Sequence, residues 1–243
     1  MTLSSSQVDD LGERLRATDP PSAADRDLLA ELLASYAKPL EDARTRIVTG
    51  VTGLGFVTGR LKSTPSIIDE LKRSPATQLS GMEDLAGVRV VVNGGRAVQD
   101  VAAAGVRTVF PKSRTEDRCA APRHGYRAVH VICEIEGKWV EVQIRTPLQQ
   151  QWAELFDKLA DRLGRQIRYG LDADDASRVV VPGTTRRDLV ERVQRFSGII
   201  ARLEEAEEAP KERGPRSNEE IAKQTRELIG MLASLTDVLA KVS

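Results

Sequence analysis

The sequence predicts an α/β (α+β) protein: a mixed β-sheet flanked by helices and followed by a C-terminal helical hairpin. Three observations predict it. Residues Gly125 to Thr146, GYRAVHVICEIEGKWVEVQIRT, hold two strand-like runs joined by a tight Glu136-Gly137-Lys138 turn. Apolar strand-like runs alternate with stretches of three-to-four spacing between residues 25 and 163, as expected when helices cover a sheet. Two long apolar stripes close the chain, Leu189, Val193, Phe196, Ile200 and Leu203, then Ile221, Leu228, Leu232, Leu235 and Leu239.

The elements follow in order. Residues 1–24 are rich in Ser, Asp and Pro and are expected to form a flexible leader. Residues 25–170 form the main domain. It opens with a helix over Asp25–Val48, whose stripe is Leu28, Leu29, Leu32, Leu33, Tyr36 and Leu40. Glycines at 50, 53, 55 and 59 break that helix. A strand over Val57–Leu61 and a helix over Ser66–Leu71 come next, then a strand over Leu85–Val92 and a helix over Arg96–Ala104. Val106–Phe110 is expected to be a strand, with a polar loop from there to His124. After the hairpin, Pro147 suits the first turn of a helix running to about Leu163. Residues 171–243 form a C-terminal helical extension, entered through a connector over Leu171–Thr185.

Composition narrows the function. The 243 residues are 40% hydrophobic and 30% charged, enough for a globular domain plus an extension. The formal net charge of zero excludes a generally basic nucleic-acid coat and permits local patches. The polar, acidic start lacks the apolar core of a signal peptide, and no run approaches the ~18 apolar residues of a membrane span. A cytoplasmic protein without membrane attachment is expected. Cys119 and Cys133 are too few for a disulfide framework. Only two histidines occur, His124 and His130, with no His-Asp dipeptide and no zinc-ligand spacing. Any metal is therefore expected to be a hard cation such as Mg²⁺, held by carboxylates and phosphate oxygens.

The hairpin is polar where a strand normally turns apolar. Val140, Val142 and Ile144 alternate with Glu141, Gln143 and Arg145, so a period of two sends the sets to opposite faces. Burying an acid, an amide and a guanidinium on one face is costly unless they meet ions or substrate. In the first run Tyr126, Ala128 and His130 likewise share a face, and together these residues suit the floor of a site. Arg60 and Lys62 lie about 7 Å apart on one side of an extended segment, where they can straddle neighbouring phosphates or simply decorate the surface. Asp84 opens an apolar strand, a place for a metal ligand or for a turn cap, and Arg89 alternates with Val88 and Val90. The loop PKSRTEDRCAAPRHGYR carries much of a basic run, including Arg118 and Arg123, that leads into Tyr126. That pattern favours a phosphate-bearing ligand whose base stacks on the ring. GLGFVTG has the wrong spacing for a dinucleotide fingerprint, and no GxxxxGK[ST] loop is present.

GRLKSTPSI, EDLAGVRV, HGYRAVH and VEVQIRT, in that order, resemble the synthetase domain of the RelA/SpoT alarmone enzymes, over about Phe56 to Gly170. In size the chain resembles a small, single-function alarmone synthetase. The resemblance implies a nucleotidyltransferase-like sheet and transfer of the β,γ-pyrophosphate of ATP to a ribose 3′-hydroxyl, with release of AMP. It implies that Arg60 and Lys62 hold ATP phosphates with Ser66 nearby, and that Asp84 binds Mg²⁺. Arg89, by its place on the strand, could enter the site as a further ATP contact or pair with an acid. Glu141 is implied as the second essential carboxylate, a metal ligand or the base. Tyr126 would stack on the acceptor base, while His130, Gln143 and Arg145 position acceptor and phosphates. The hydrolase half of the larger relatives is missing, so synthesis without hydrolysis is expected. GYRAVH, a WAE-type helix and a RYG ending resemble the toxic branch of the group, whose implied acceptor is the 3′ CCA end of tRNA. That branch implies blocked translation and an antitoxin protein as partner. Free guanosine or adenosine nucleotides are the alternative acceptors. The C-terminal stripes suit plain packing, self-association into a homo-oligomer or docking of a partner. A reading of another class is an inactive nucleotide- or RNA-binding regulator, against which the paired acids Asp84 and Glu141 speak.

Overall fold

The computed structural model describes residues 3–170, 173–181, 183–208, 219, 223–227 and 229–231. The chain divides into two compact units, the first made of residues 1–90, 102–116 and 130–144, the second of 91–101, 117–129 and 145–243. This division differs from the boundaries drawn at 24 and 170 from the sequence.

The first unit begins with a helix rather than a loose leader. Ser4 and Gln7 form a capping box at the start of α1 (Ser5–Ala17), and Val8, Leu11 and Leu15 are buried on one stripe. Arg16 donates to the carbonyls of Leu71 at 2.8 Å and Thr77 at 2.7 Å. Three apolar residues at helical spacing thus outweigh a disorder-prone composition. The single helix expected over 25–48 is two, α2 (Ala23–Ala34) and α3 (Ala37–Gly50). Pro39 has no N–H to continue α2, and it sits in the first turn of α3, where none is needed.

There follow β1 (Leu54–Leu61), α4 (Thr64–Arg73), a 3₁₀ turn at Leu79–Gly81, β2 (Ala86–Val92), α5 (Arg96–Val109), β3 (Arg114–Asp117), β4 (Val129–Ile135) and β5 (Lys138–Arg145). The strands form one sheet in the order β1-β2-β5-β4-β3. The strand expected over Val106–Phe110 is the end of α5 and the residue after it. Ala102, Val106 and Phe110 are buried at a spacing of four, a helical period that overrides the β-propensity of the segment. The loop expected before His124 contains β3, an edge strand. Between β4 and β5, Glu136 and Gly137 have φ of 52° and 74°, the positive pair that a two-residue type I′ turn requires. Neighbouring strands joined by two residues must run antiparallel, as expected for the hairpin. Val140, Val142 and Ile144 are fully buried, so the apolar set of β5 does face the core.

The second unit is mainly helical. Pro147 opens α6 (Pro147–Leu163), with a Thr146/Gln149 capping box, and a 3₁₀ turn at Arg165–Arg168 follows. After it come α7 (Ala173–Ser177), a two-stranded ribbon of β6 (Val179–Val181) and β7 (Thr184–Thr185), and α8 (Arg186–Glu208). Trp152, Phe156, Leu159 and Leu163 of α6 share a core with Leu189, Val193, Ile200 and Leu203 of α8. Each such side chain contributes roughly 1.5–3 kcal/mol by burial. The first C-terminal stripe therefore packs on α6. The second stripe, Ile221 to Leu239, lies outside the described residues. Among the described residues no helix is long and apolar enough to cross a membrane.

Candidate active site

β1 runs out into Lys62, whose backbone N–H donates to Leu85 O at 2.9 Å and so fixes the approach to Asp84. The Lys62 side chain is only 7% exposed. Its Nζ lies 2.5 Å from both Asp84 Oδ2 and Glu70 Oε2, one ammonium serving two half-buried acids. Burial disfavours the Lys62 charge, but Asp84 and Glu70 outweigh it and raise its pKa. Burial raises the Asp84 carboxyl. Lys62 opposes the shift, while the charges of Glu141 and Glu70 add to it.

Glu141 behaves differently. Burial pushes its carboxyl up, but hydrogen bonds from His130 and Gln143, with the charges of His130 and Arg60, bring it down to about 2. His130 Nδ1 stands 2.8 Å from Glu141 Oε1, and Gln143 Nε2 donates to Oε2 at 2.5 Å. The i, i+2 bond shows Glu141 and Gln143 on the same face, as the alternation predicted. Gly87 on β2 lies between Glu141 of β5 and Arg60 of β1: a Cβ there would be in ordinary contact, 3.4 Å from the Glu141 carbonyl oxygen and 3.8 Å from Arg60 Nε.

The first unit thus brings together Lys62, Glu70, Asp84, His130, Glu141 and Gln143, with Arg60 exposed above Gly87. Lys62 faces the two acids instead of standing free beside Arg60. His130, expected to position the acceptor, holds Glu141. Arg89 lies on β2 between the buried Val88 and Val90. Ser66 lies in the first turn of α4, its hydroxyl 2.8 Å from that of Ser63, the N-cap.

The remaining predicted residues belong to the second unit. Tyr126 precedes β4, so strand alternation does not extend to it. Residues Arg123–Tyr126 form a tight turn in which His124 and Gly125 have φ of 50° and 87°, closed by Tyr126 N–H to Arg123 O at 2.9 Å. The Arg145 guanidinium sits 5.1 Å from the centre of the Tyr126 ring, and its Nη2 donates to the phenol oxygen at 2.9 Å. Arg145 Nη1 also donates to Gln150 at 2.8 Å. Arg123 is exposed and Arg118 half-buried. Two cations of the basic run are engaged elsewhere. Arg114 pairs with Glu83 and Glu116, and Arg127 donates to Cys119 O at 2.7 Å and Ser197 Oγ at 3.0 Å.

Sequence reading missed Glu70, Ser197 and Glu204. Glu70 was accessible from the helical stripe of α4, and the Thr146–Gln149 capping box is a local motif. Ser197 and Glu204 carry no local signal. Among the described residues, no group of three or more His, Cys, Asp or Glu is placed to hold a metal. Mg²⁺ commonly binds one or two carboxylates and takes its other ligands from substrate phosphates and water. Asp84 and Glu141, two oxygen donors that sense each other's charge, fit that ion better than a transition metal.

Residues 59–160 match a family model described as the region found in RelA / SpoT proteins. An uncharacterized protein of Mycobacterium tuberculosis is 34% identical over 209 residues, covering 84% of this chain and 75% of that protein. The crystal structure of small alarmone synthetase 1 from Bacillus subtilis aligns with a TM-score of 0.56 at 21% identity, covering 83% of this chain and 99% of that one. The same synthetase bound to AMPCPP aligns at 0.50 and 19% identity, over 74% of this chain and 93% of that one. These two likenesses establish the fold.

Proposed function

Because the chain belongs to the RelA/SpoT family of pyrophosphokinases, we propose that it moves the β,γ-pyrophosphate of ATP to a ribose 3′-hydroxyl and releases AMP. The observation that carries this reading is the cluster in which a buried Lys62 joins Asp84 and Glu70 while His130 and Gln143 keep Glu141 ionised. ATP as donor is further supported by a synthetase of the same fold having been crystallised with AMPCPP.

Arg60, exposed above Gly87, grips the ATP phosphates, and Ser66 and Arg89 add donors from α4 and β2. Asp84 and Glu141 would hold Mg²⁺, which when bound would supply charge neutralisation at the phosphates. Glu141, bonded by His130 and Gln143, would serve as the second metal ligand or as the base that takes the 3′-hydroxyl proton. His130 and Gln143 fix its orientation. Tyr126 presents its ring to the acceptor base, Arg145 orients that ring and the acceptor phosphates, and Arg118 and Arg123 meet phosphate groups beyond it. In-line transfer of this kind depends on positioning and charge neutralisation.

The favoured acceptor is the 3′ CCA end of tRNA, which would block translation and call for an antitoxin protein as partner. The exposed Arg123 and the half-buried Arg118, beside Tyr126 in sequence, support it. Free guanosine or adenosine nucleotides are the competing acceptors, supported by the engagement of Arg114 and Arg127 within the fold, which shrinks the phosphate footprint. Incubation with γ-labelled ATP and, separately, deacylated tRNA, GDP, GTP and adenosine nucleotides distinguishes them. Label on tRNA is expected, and label only in small nucleotides would overturn the tRNA assignment. No label and no AMP with any acceptor would leave the inactive binding protein as the better reading.

A further inference from the structure

One face of α8 touches both segments of the second unit that carry the proposed acceptor platform. At the first segment, Gly125 leaves no space for a side chain. A Cβ there would lie 2.8 Å from Trp152 Cζ2, 3.3 Å from Gln194 Cα and 3.4 Å from Ser197 Cβ. Ser197 is 2% exposed, and its hydroxyl accepts from Arg127 Nε at 3.0 Å, on the far side of Tyr126 from Gly125 in sequence. Trp152 is itself pinned to α8, donating from Nε1 to Val193 O at 2.6 Å.

At the second segment, two turns further along α8, Glu204 is 3% exposed. Its carboxylate accepts from the Thr146 hydroxyl and, at 2.9 Å, from Gln149 Nε2. Thr146 and Gln149 are the N-cap and third residue of α6, and Thr146 directly follows Arg145. Gln149 is in turn bonded to Gln99, at 2.9 and 3.2 Å. An apolar contact would serve stability as well as a buried carboxylate, whose desolvation is costly. What the polar contacts add is a fixed register. The turn bearing Tyr126 and the residue after Arg145 are both tied to one rigid helix, and Arg145 and Tyr126 then meet through the 2.9 Å bond.

We infer that α8 is a positioning element of the acceptor site, with Ser197 and Glu204 as the residues that set the Tyr126 turn and Arg145 in place. The inference rests on the reading of Tyr126 as acceptor platform, and it makes the segment Arg186–Glu208 inseparable from activity rather than a detachable interaction module.

Ser197→Ala in the full chain is the test. Loss of a hydrogen bond to a charged guanidinium is expected to raise the acceptor KM about tenfold. The ATP KM should stay unchanged, and amide hydrogen exchange over residues 123–127 should accelerate. Equal change in both KM values, or no change in either, would overturn the inference, as would unaltered exchange in the turn. Should Ser197→Ala fail to fold, Glu204→Gln, which keeps the size and one acceptor oxygen, must show the same selective rise in acceptor KM. A uniform loss would count against positioning. A parent protein without transfer activity would sink the functional reading alone, and the exchange experiment would then decide the positioning by itself.

Discussion

The two units carry their proposed chemistry by opposite means. In the first, charge is concentrated: one buried ammonium meets two acids, and a third acid is held ionised by an imidazole and an amide. In the second, shape is concentrated: a glycine turn, an aromatic ring under a guanidinium, and a neutral amide network around one buried carboxylate. The contrast teaches where binding and reaction are separable. Substitutions in the first unit should strike the reaction and the local charge balance, and those in the second should strike affinity for one ligand.

The most severe break should come from Glu141→Gln, which keeps the shape and removes the charge. A lost metal ligand is worth several kcal/mol, so AMP release should fall at least about a thousandfold with the fold retained. A near-parental rate would remove Glu141 from the mechanism. The same variant sharpens the electrostatic account. Glu141 titrates at about 2 in the folded protein against an ordinary 4.5. Its ionised form therefore stabilises the fold above the ordinary range, and that contribution is lost as pH falls through about 2. The Tm gap between parent and variant should be largest at neutral pH and shrink towards that acid limit. A gap independent of pH would contradict it.

Lys62→Met should come next. It strands Asp84 and Glu70 without their shared cation, and because both acids are half-buried the loss belongs at the low end for broken buried pairs, about 3 kcal/mol in urea unfolding. A stability equal to the parent's would mean that the pair is a surface contact. Tyr126→Ala should weaken acceptor binding by about 1–3 kcal/mol while leaving ATP binding alone. Equal losses for both ligands would erase the distinction between the units. The smallest effect is expected from neutralising Arg118 and Arg123 together. The slope of tRNA binding against salt should flatten by roughly one to two counter-ions, and an unchanged slope would take the loop off the phosphate backbone.

Much of the first unit was legible because its signals are local. Alternation along β5 placed Glu141 and Gln143 on one face, and the Glu136-Gly137 pair marked the turn. What brings Lys62, Asp84 and Glu141 together is the strand order β1-β2-β5, a non-local fact that spacing does not encode and that the family motifs supplied. Misreadings arose where composition competed with period. A Ser- and Asp-rich start concealed the buried stripe of α1, and a β-branched run concealed the last turn of α5. The support of the second unit was illegible for a simpler reason. Ser197 and Glu204 lie far along the chain from the turn and the helix cap they hold, and nothing in their own neighbourhood marks them.

The central claim is that Asp84 and Glu141 share a divalent ion at the phosphates of ATP. Titration of Mn²⁺ in the presence of AMPCPP, followed by electron paramagnetic resonance, tests it in the parent, Asp84→Asn and Glu141→Gln proteins. Tight Mn²⁺ binding in the parent that is lost in each variant is the predicted result. Parental Mn²⁺ affinity in both variants would contradict it.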